Sequence, residues 1–202
     1  MIIVRDMAVP LDKADRIREM CAKKLGCDEN EILSCRLLRR SVDARKKVDV
    51  HLICTVAAEV KNEAKALKKC RFAEPYYESR EECFTPTRDR KKERPIVVGS
   101  GPAGLFAALT LAENGFAPLL LERGMDVDRR TQQVSRFWLT GELDTECNVQ
   151  FGEGGAGTFS DGKLNTGTKD SRRSSVLKTF VRFGAPENIL YDAQPHIGTD
   201  LL

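Results

Sequence analysis

Apolar and polar positions change rhythm several times along the chain. Ile2, Ile3 and Val4 form a short apolar run that predicts a strand. Asp12 offers an N-cap, and Ala14, Ile17, Cys21 and Leu25 then share one face of a predicted helix that Gly26 stops. Two strand-like runs follow, over 31–40 and 48–56. In the second, Val48, Val50, Leu52, Cys54 and Val56 alternate with Asp49, His51, Ile53 and Thr55, the period of a half-buried strand. Residues 61–70 predict a second helix. This β-α-β-β-α order predicts a small α+β domain over residues 1–84, with the split layer of a ferredoxin-like unit.

A different pattern begins at Pro95. Ile96-Val97-Val98 is fully apolar, as expected of a parallel strand covered on both faces. It runs into Gly99-Ser100-Gly101-Pro102-Ala103-Gly104, a G-x-G-x-x-G. A helical pattern over 102–114 carries Leu105, Ala108, Leu109 and Ala112 on one side. Gly115 ends it, and 118–121 starts the next strand. That strand ends in Glu122, about 20 residues beyond the first glycine, where a ribose-binding acid is expected. Gly99 permits the sharp exit from the strand. Gly101 lets backbone approach a pyrophosphate, whose charge meets the amides and dipole of the helix N-terminus. Gly104 lets the helix lie close to the sheet. The Glu122 carboxylate can accept both ribose hydroxyls and would repel a 2′-phosphate, which argues against NADP in this pocket. The spacing does not choose between FAD and NAD.

Beyond Glu122-Arg123-Gly124, Val127, Thr131, Val134 and Trp138 recur at helical spacing. Arg129 and Arg130 alongside them either contact the pyrophosphate or solvate the helix. The stretch 148–166 then packs Gly152, Gly154, Gly155, Gly157 and Gly162 into eleven residues, a composition that excludes a core helix or a central strand. Backbone this bare forms a flexible loop or lies against a flat ligand. It is not a P-loop, because Leu164 follows Lys163 where a magnesium-binding hydroxyl is required.

Composition supports a division in two. Of the 15 glycines only Gly26 precedes Pro95, whereas six of the seven cysteines do. The net charge of +3 divides into about +6 before residue 95 and −3 after it. The join, 85–94, is a charged stretch that reads as a linker, and 95–202 reads as the second domain. Apolar residues at 41% suffice for a core. The charge is too balanced to argue for a nucleic-acid binder on its own. Scattered cysteines without C-x-x-C argue against a zinc site or a disulfide framework, so no metal is expected. No apolar stretch is long enough to span a membrane, and the first residues lack a signal-peptide layout, so a cytoplasmic location is expected. The basic cluster Arg36, Arg39, Arg40, Arg45, Lys46 and Lys47 reads as a solvated strand face. His51 and His196 read as packed or surface residues.

The run Val97–Ala108, Glu122-Arg123-Gly124 and the Gly-rich stretch 152–164 resemble the uncharacterised FAD-dependent dehydrogenases, bacterial flavoproteins of the glutathione-reductase-like group. Arg40–Lys47 and Ala193–Asp200 are similar to that family too. The resemblance implies FAD held at the pyrophosphate by Gly99, Ser100, Gly101, Pro102, Ala103 and Gly104, and at the ribose by Glu122, with Arg123 and Arg130 nearby. It also implies that the loop with Gly154, Gly155, Ser160 and Lys163 lies near the isoalloxazine. There Ser160 and Lys163 would stabilise charge on the reduced flavin, the alternative for Lys163 being a solvated loop lysine. NAD(P)H is the implied electron donor. No catalytic acid, base or nucleophile is assigned, and the substrate is not named.

Family members are substantially longer, so the chain reads as their N-terminal portion, with an incomplete Rossmann-like FAD-binding βαβ unit. A second chain or a later segment would complete the flavin site. The fold class expected is therefore α/β, preceded by the small α+β domain, and the function expected is that of an FAD-dependent oxidoreductase or its N-terminal fragment. The rivals are a non-catalytic dinucleotide-binding module and, through residues 36–47, a nucleic-acid-binding protein.

Overall fold

The computed structural model describes residues 1–78 and 94–198. The expected linker therefore lies, apart from Arg94, outside the described residues. Two compact units emerge. One joins residues 1–78 to Leu164–His196, and the other comprises 94–163 with Ile197 and Gly198.

In the first unit, β1 (Ile2–Pro10), α1 (Ile17–Leu25), β2 (Ile32–Asp43), β3 (His51–Val60), α2 (Glu63–Lys69) and β4 (Ala73–Pro75) follow in sequence. Their strands form one sheet in the order β2-β3-β1-β4, every neighbour antiparallel. β1 and β2, joined by α1, thus run in the same sense with β3 inserted between them.

β1 is longer than its opening apolar run predicts, because its phase changes midway. Ile2 and Val4 are fully buried, and so are Met7 and Val9. A period of two cannot place Val4 and Met7 on one face. The register solves this: Val4 faces Val56 and Met7 faces Cys54, so β1 advances three residues for two of β3. The extra residue makes a bulge, and Asp6 absorbs it at φ +49°, a conformation that aspartate tolerates. All four apolar side chains then meet Cys21 and Leu25 of α1, and Leu52, Cys54 and Val56 of β3, in one core.

α1 ends as predicted, with Gly26 at φ +66° accepting the left-handed C-cap. It begins later than predicted. Leu11–Lys13 is a single 3₁₀ turn and Arg16 occupies the N-cap, so Asp12 does not cap the helix. Val48 also departs from its expected strand position. It is 98% exposed in the turn before β3.

Residues 164–196, which the sequence pattern joins to the Rossmann-like part, pack in this first unit. They contain α5 (Arg172–Arg182) and a 3₁₀ turn at Glu187–Leu190. The Arg40 amide donates to the Tyr191 carbonyl at 2.7 Å and the Ala193 amide to the Arg40 carbonyl at 2.8 Å. Arg40 also grips Asp192 through two bonds of 2.7 and 2.9 Å. These contacts cover part of the open edge of β2, whose backbone would otherwise be free to pair with another chain.

The second unit is built on β5 (Ile96–Val98) and β6 (Leu119–Leu121), paired in parallel with Val97 opposite Leu120, and joined by α3 (Pro102–Glu113). α4 (Val127–Thr140) follows, and the glycine-rich residues form loops with one 3₁₀ turn at Ala156–Phe159. The parallel strand is present, but its cover is not. Ile96 is 63% and Val98 82% exposed, and α3 buries no residue fully. A two-stranded sheet with one crossover helix cannot close both of its faces. Among the described residues no helix is long and apolar enough to cross a membrane.

Candidate functional site

The turn after β5 is held from both strands. The Gly99 amide donates to the Leu121 carbonyl at 2.7 Å, continuing the ladder one residue past the strand, with Gly99 at φ +93°. Pro102 then sits at the first position of α3, where a missing N–H costs nothing. A Cβ on Gly104 would stand 1.8 Å from the Gly99 carbonyl oxygen and 3.5 Å from the Val97 side chain. Gly104 therefore sets how closely α3 approaches the turn and the strand. The N–H groups of Ala103 and Gly104, in the first turn of α3, have no carbonyl four residues earlier within the helix, which leaves this end electropositive.

Glu122 lies across the mouth of this turn. Its Oε2 accepts the Ser100 amide at 2.6 Å and the Ser100 hydroxyl at 2.8 Å, and its Oε1 accepts the Gly124 amide at 2.9 Å. The amides of Ser100 and Gly124 are the main cause of a carboxyl pKa drawn down to about 2. Glu122 is thus ionised and fixed, and remains partly exposed. A carboxylate offers about four lone-pair sites, so capacity remains for a hydroxyl of a ligand.

The second glycine cluster closes onto the first. The Gly154 amide donates to the Ser100 carbonyl at 2.9 Å, and a Cβ on Gly155 would stand 3.1 Å from both the Gly101 Cα and the Pro102 ring. Gly124 and Gly152 meet in the same way, a Cβ on the former falling 2.5 Å from the latter's Cα. Two backbones this close exclude any side chain. Between them opens a crevice of about 510 Å³, lined by Gly99, Gly101, Glu122, Arg123, Phe151 and Gly155 among others. A Cβ on Gly99 would project into open space, and one on Gly101 would meet only the Gly155 Cα at 4.0 Å. Bare backbone facing an open crevice beside a helix N-terminus suits a pyrophosphate.

Arg130 does not take one of the two roles that its sequence position allows. It is fully buried, so it does not solvate α4. Its guanidinium donates to the carbonyls of Asn148, Val149 and Glu153 at 3.1, 2.7 and 2.6 Å and lies over the Phe159 ring. One side chain thereby shapes the whole loop 148–159. Burial pushes its pKa down from the ordinary arginine value. Glu153 ties the loop back to α4, its carboxylate accepting the Val127 amide at 2.8 Å, where the helix dipole favours negative charge. Asp126 caps the same helix through the Arg129 amide at 3.0 Å. The local signal for that cap is an aspartate directly before the helical run, at Asp126.

Of the other expected site residues, Arg123 lies at the crevice, with its guanidinium paired to Glu146 by two bonds of 2.7 Å. Ser160 accepts the Gly162 amide at 3.2 Å, and the Lys163 ammonium pairs with Asp161 at 2.6 Å. In the basic cluster of the first unit, Arg36, Arg40 and Arg45 face Glu78, Asp192 and Asp43 at 2.6–2.8 Å. His51 lies near Asp43 and Asp49, at 4.0 and 3.6 Å.

A parallel strand, glycine turn, helix and second strand ending in a fixed carboxylate define a Rossmann-like dinucleotide-binding unit. Residues 97–135 match the NAD(P)-binding Rossmann-like domain family, and residues 1–59 match a domain of unknown function, DUF8436. Over 193 residues, 95% of this chain, it is 46% identical to an uncharacterized protein of Clostridium beijerinckii, of which the match covers 36%. Over 65 residues, 32% of this chain, it is 35% identical to the chloroplastic geranylgeranyl diphosphate reductase of Arabidopsis thaliana, of which the match covers 14%. The chain thus spans about a third of the length of the Clostridium protein.

Proposed function

We propose that the second unit binds FAD and that the chain is the dinucleotide-binding part of a flavin-dependent oxidoreductase, with NAD(P)H as electron donor. Gly99, Gly101, Ala103 and Gly104 would hold the pyrophosphate by backbone amides, and Glu122 the adenosine ribose. Bound flavin would supply the redox chemistry by accepting a hydride. The protein's own work is to fix the cofactor and exclude wrong ones. Ionised Glu122 repels a 2′-phosphate, so NADP is disfavoured in this crevice, and Gly152–Gly155 narrows the opening above the turn.

The observation that carries this reading is the Glu122 carboxylate, pinned between the Ser100 and Gly124 amides at the crevice mouth. The leading unit, with its β2-β3-β1-β4 order, fits a ferredoxin-like layer. The substrate would be a small molecule. The exposed faces of β5 and β6 favour a site completed by further polypeptide, from the same protein or a second subunit, and the free thiols suit a cytoplasmic setting.

The test is direct. The purified chain, titrated with FAD, NAD and NADP, should quench flavin fluorescence with FAD, and Glu122→Gln should weaken that binding by about tenfold. Tight NADP binding, or no binding of any of the three, would remove the proposal. A second reading, a module that binds the dinucleotide without turnover, predicts bound FAD that NAD(P)H does not bleach.

A further inference from the structure

The first unit contains a pocket of about 290 Å³ walled by β2, the start of α5 and the segment 190–195. Its frame is fixed by backbone. Tyr191 and Ala193 are bonded to Arg40, and the Leu164 amide donates to the Pro195 carbonyl at 3.0 Å. Asp192, the carboxylate in its wall, is already neutralised. Arg40 holds both of its oxygens, and the Asn188 side-chain Nδ2 donates to Oδ2 at 2.8 Å.

Two further arginines line the pocket, Arg39 from β2 and Arg173 from α5. Among the described residues these are the arginines whose guanidinium has no partner. Every other one pairs with a carboxylate, donates to a carbonyl or lies over an aromatic ring. A single exposed arginine without a partner is ordinary. Two lining one concave space are not, because like charges repel there and the cavity focuses their field. Asn165 and Thr166 add polar groups to the same wall, while Leu177 and Ile189 give it an apolar side.

We propose that this pocket binds the anionic end of a small organic molecule, a phosphate or a carboxylate, with Arg39 and Arg173 as its charged donors. A guanidinium offers paired N–H groups that match either anion, and the volume suits a compact ligand. This site belongs to the leading unit and does not depend on the dinucleotide reading.

The experiment is thermal unfolding of the full chain in sodium phosphate and in sodium succinate, each against sodium chloride at equal ionic strength. Variants Arg39→Gln and Arg173→Gln are compared with Arg36→Gln, whose wild-type arginine pairs with Glu78. The expected result is stabilisation of the wild type and of Arg36→Gln, with apparent affinity reduced about tenfold or more in each of the other two variants. Stabilisation by phosphate alone assigns a phosphoryl group, and by succinate alone a carboxylate. No stabilisation by either anion, or stabilisation that persists unchanged in Arg39→Gln and Arg173→Gln, overturns the proposal. Both arginines are exposed and without partners, so circular dichroism of the variants should match the wild type.

Discussion

Glu122 and Gly104 show how much single positions decide. Glu122 is ionised with a pKa near 2 because amides donate to it in the folded chain, whereas an unfolded glutamate titrates at about 4.3. Its folded pKa is depressed, so its contribution to stability is complete above the unfolded value. It is lost as pH falls from there toward 2. Glu122→Gln should therefore be less stable than wild type at pH 6, and the gap should shrink on going to pH 3, as followed by denaturant titrations at each pH. Gly104 is decided by space. A methyl group 1.8 Å from the Gly99 carbonyl oxygen must drive α3 off the turn. Gly104→Ala should cost about 1–3 kcal/mol or more in chemical unfolding and abolish FAD uptake. Both residues were legible in the sequence, because a glycine in that motif and an acid at that spacing each answer a local geometric need.

Elements depend on partners that spacing does not reveal. The loop 148–159 reads in sequence as bare backbone, flexible or ligand-bound, yet Arg130 from the second turn of α4 binds three of its carbonyls. Arg130→Met should leave those part-buried carbonyls without their donors and cost about 2 kcal/mol. Faster hydrogen exchange at the amides of Gly154 and Gly155 would be its signature, with the far-UV spectrum little changed. The bulge in β1 is a similar case. The phase of Val4 and Met7 contradicts a simple strand, and only pairing with β3 shows where the extra residue goes. The apolar run of β5 predicts a parallel strand covered on both faces; it is parallel, but burial is not a property of its own sequence. Ile96 and Val98 stay exposed because no other described element packs over them.

At the scale of the molecule the two units differ in how much they bury. Nearly all the fully covered aliphatic side chains belong to the first, whereas the second relies on Val134, Cys147 and the buried Arg130. Trp138, the one tryptophan, lies in the second unit against Phe159. Unfolding followed by its fluorescence should therefore precede unfolding followed by far-UV circular dichroism. Coincident curves would show a single cooperative transition. On the proposal that the second unit holds FAD, the cofactor should delay the fluorescence change and leave the later phase in place, because ligand binding stabilises the unit that holds it.

The β-α-β-β-α order of the leading part, the Gly26 stop, the turn from Gly99 to Gly104 and the acid at Glu122 were all determined by sequence, since each follows from contacts within a few residues or from one fixed spacing. Tertiary structure alone decided that Gly154 and Gly155 pack on the first glycine turn, that Arg130 is a buried brace, and that residues 164–196 pack in the leading unit. Arg40 and Asp192 are 152 positions apart, and their bond leaves no local trace because periodicity records which face of an element is apolar, not what that face will meet.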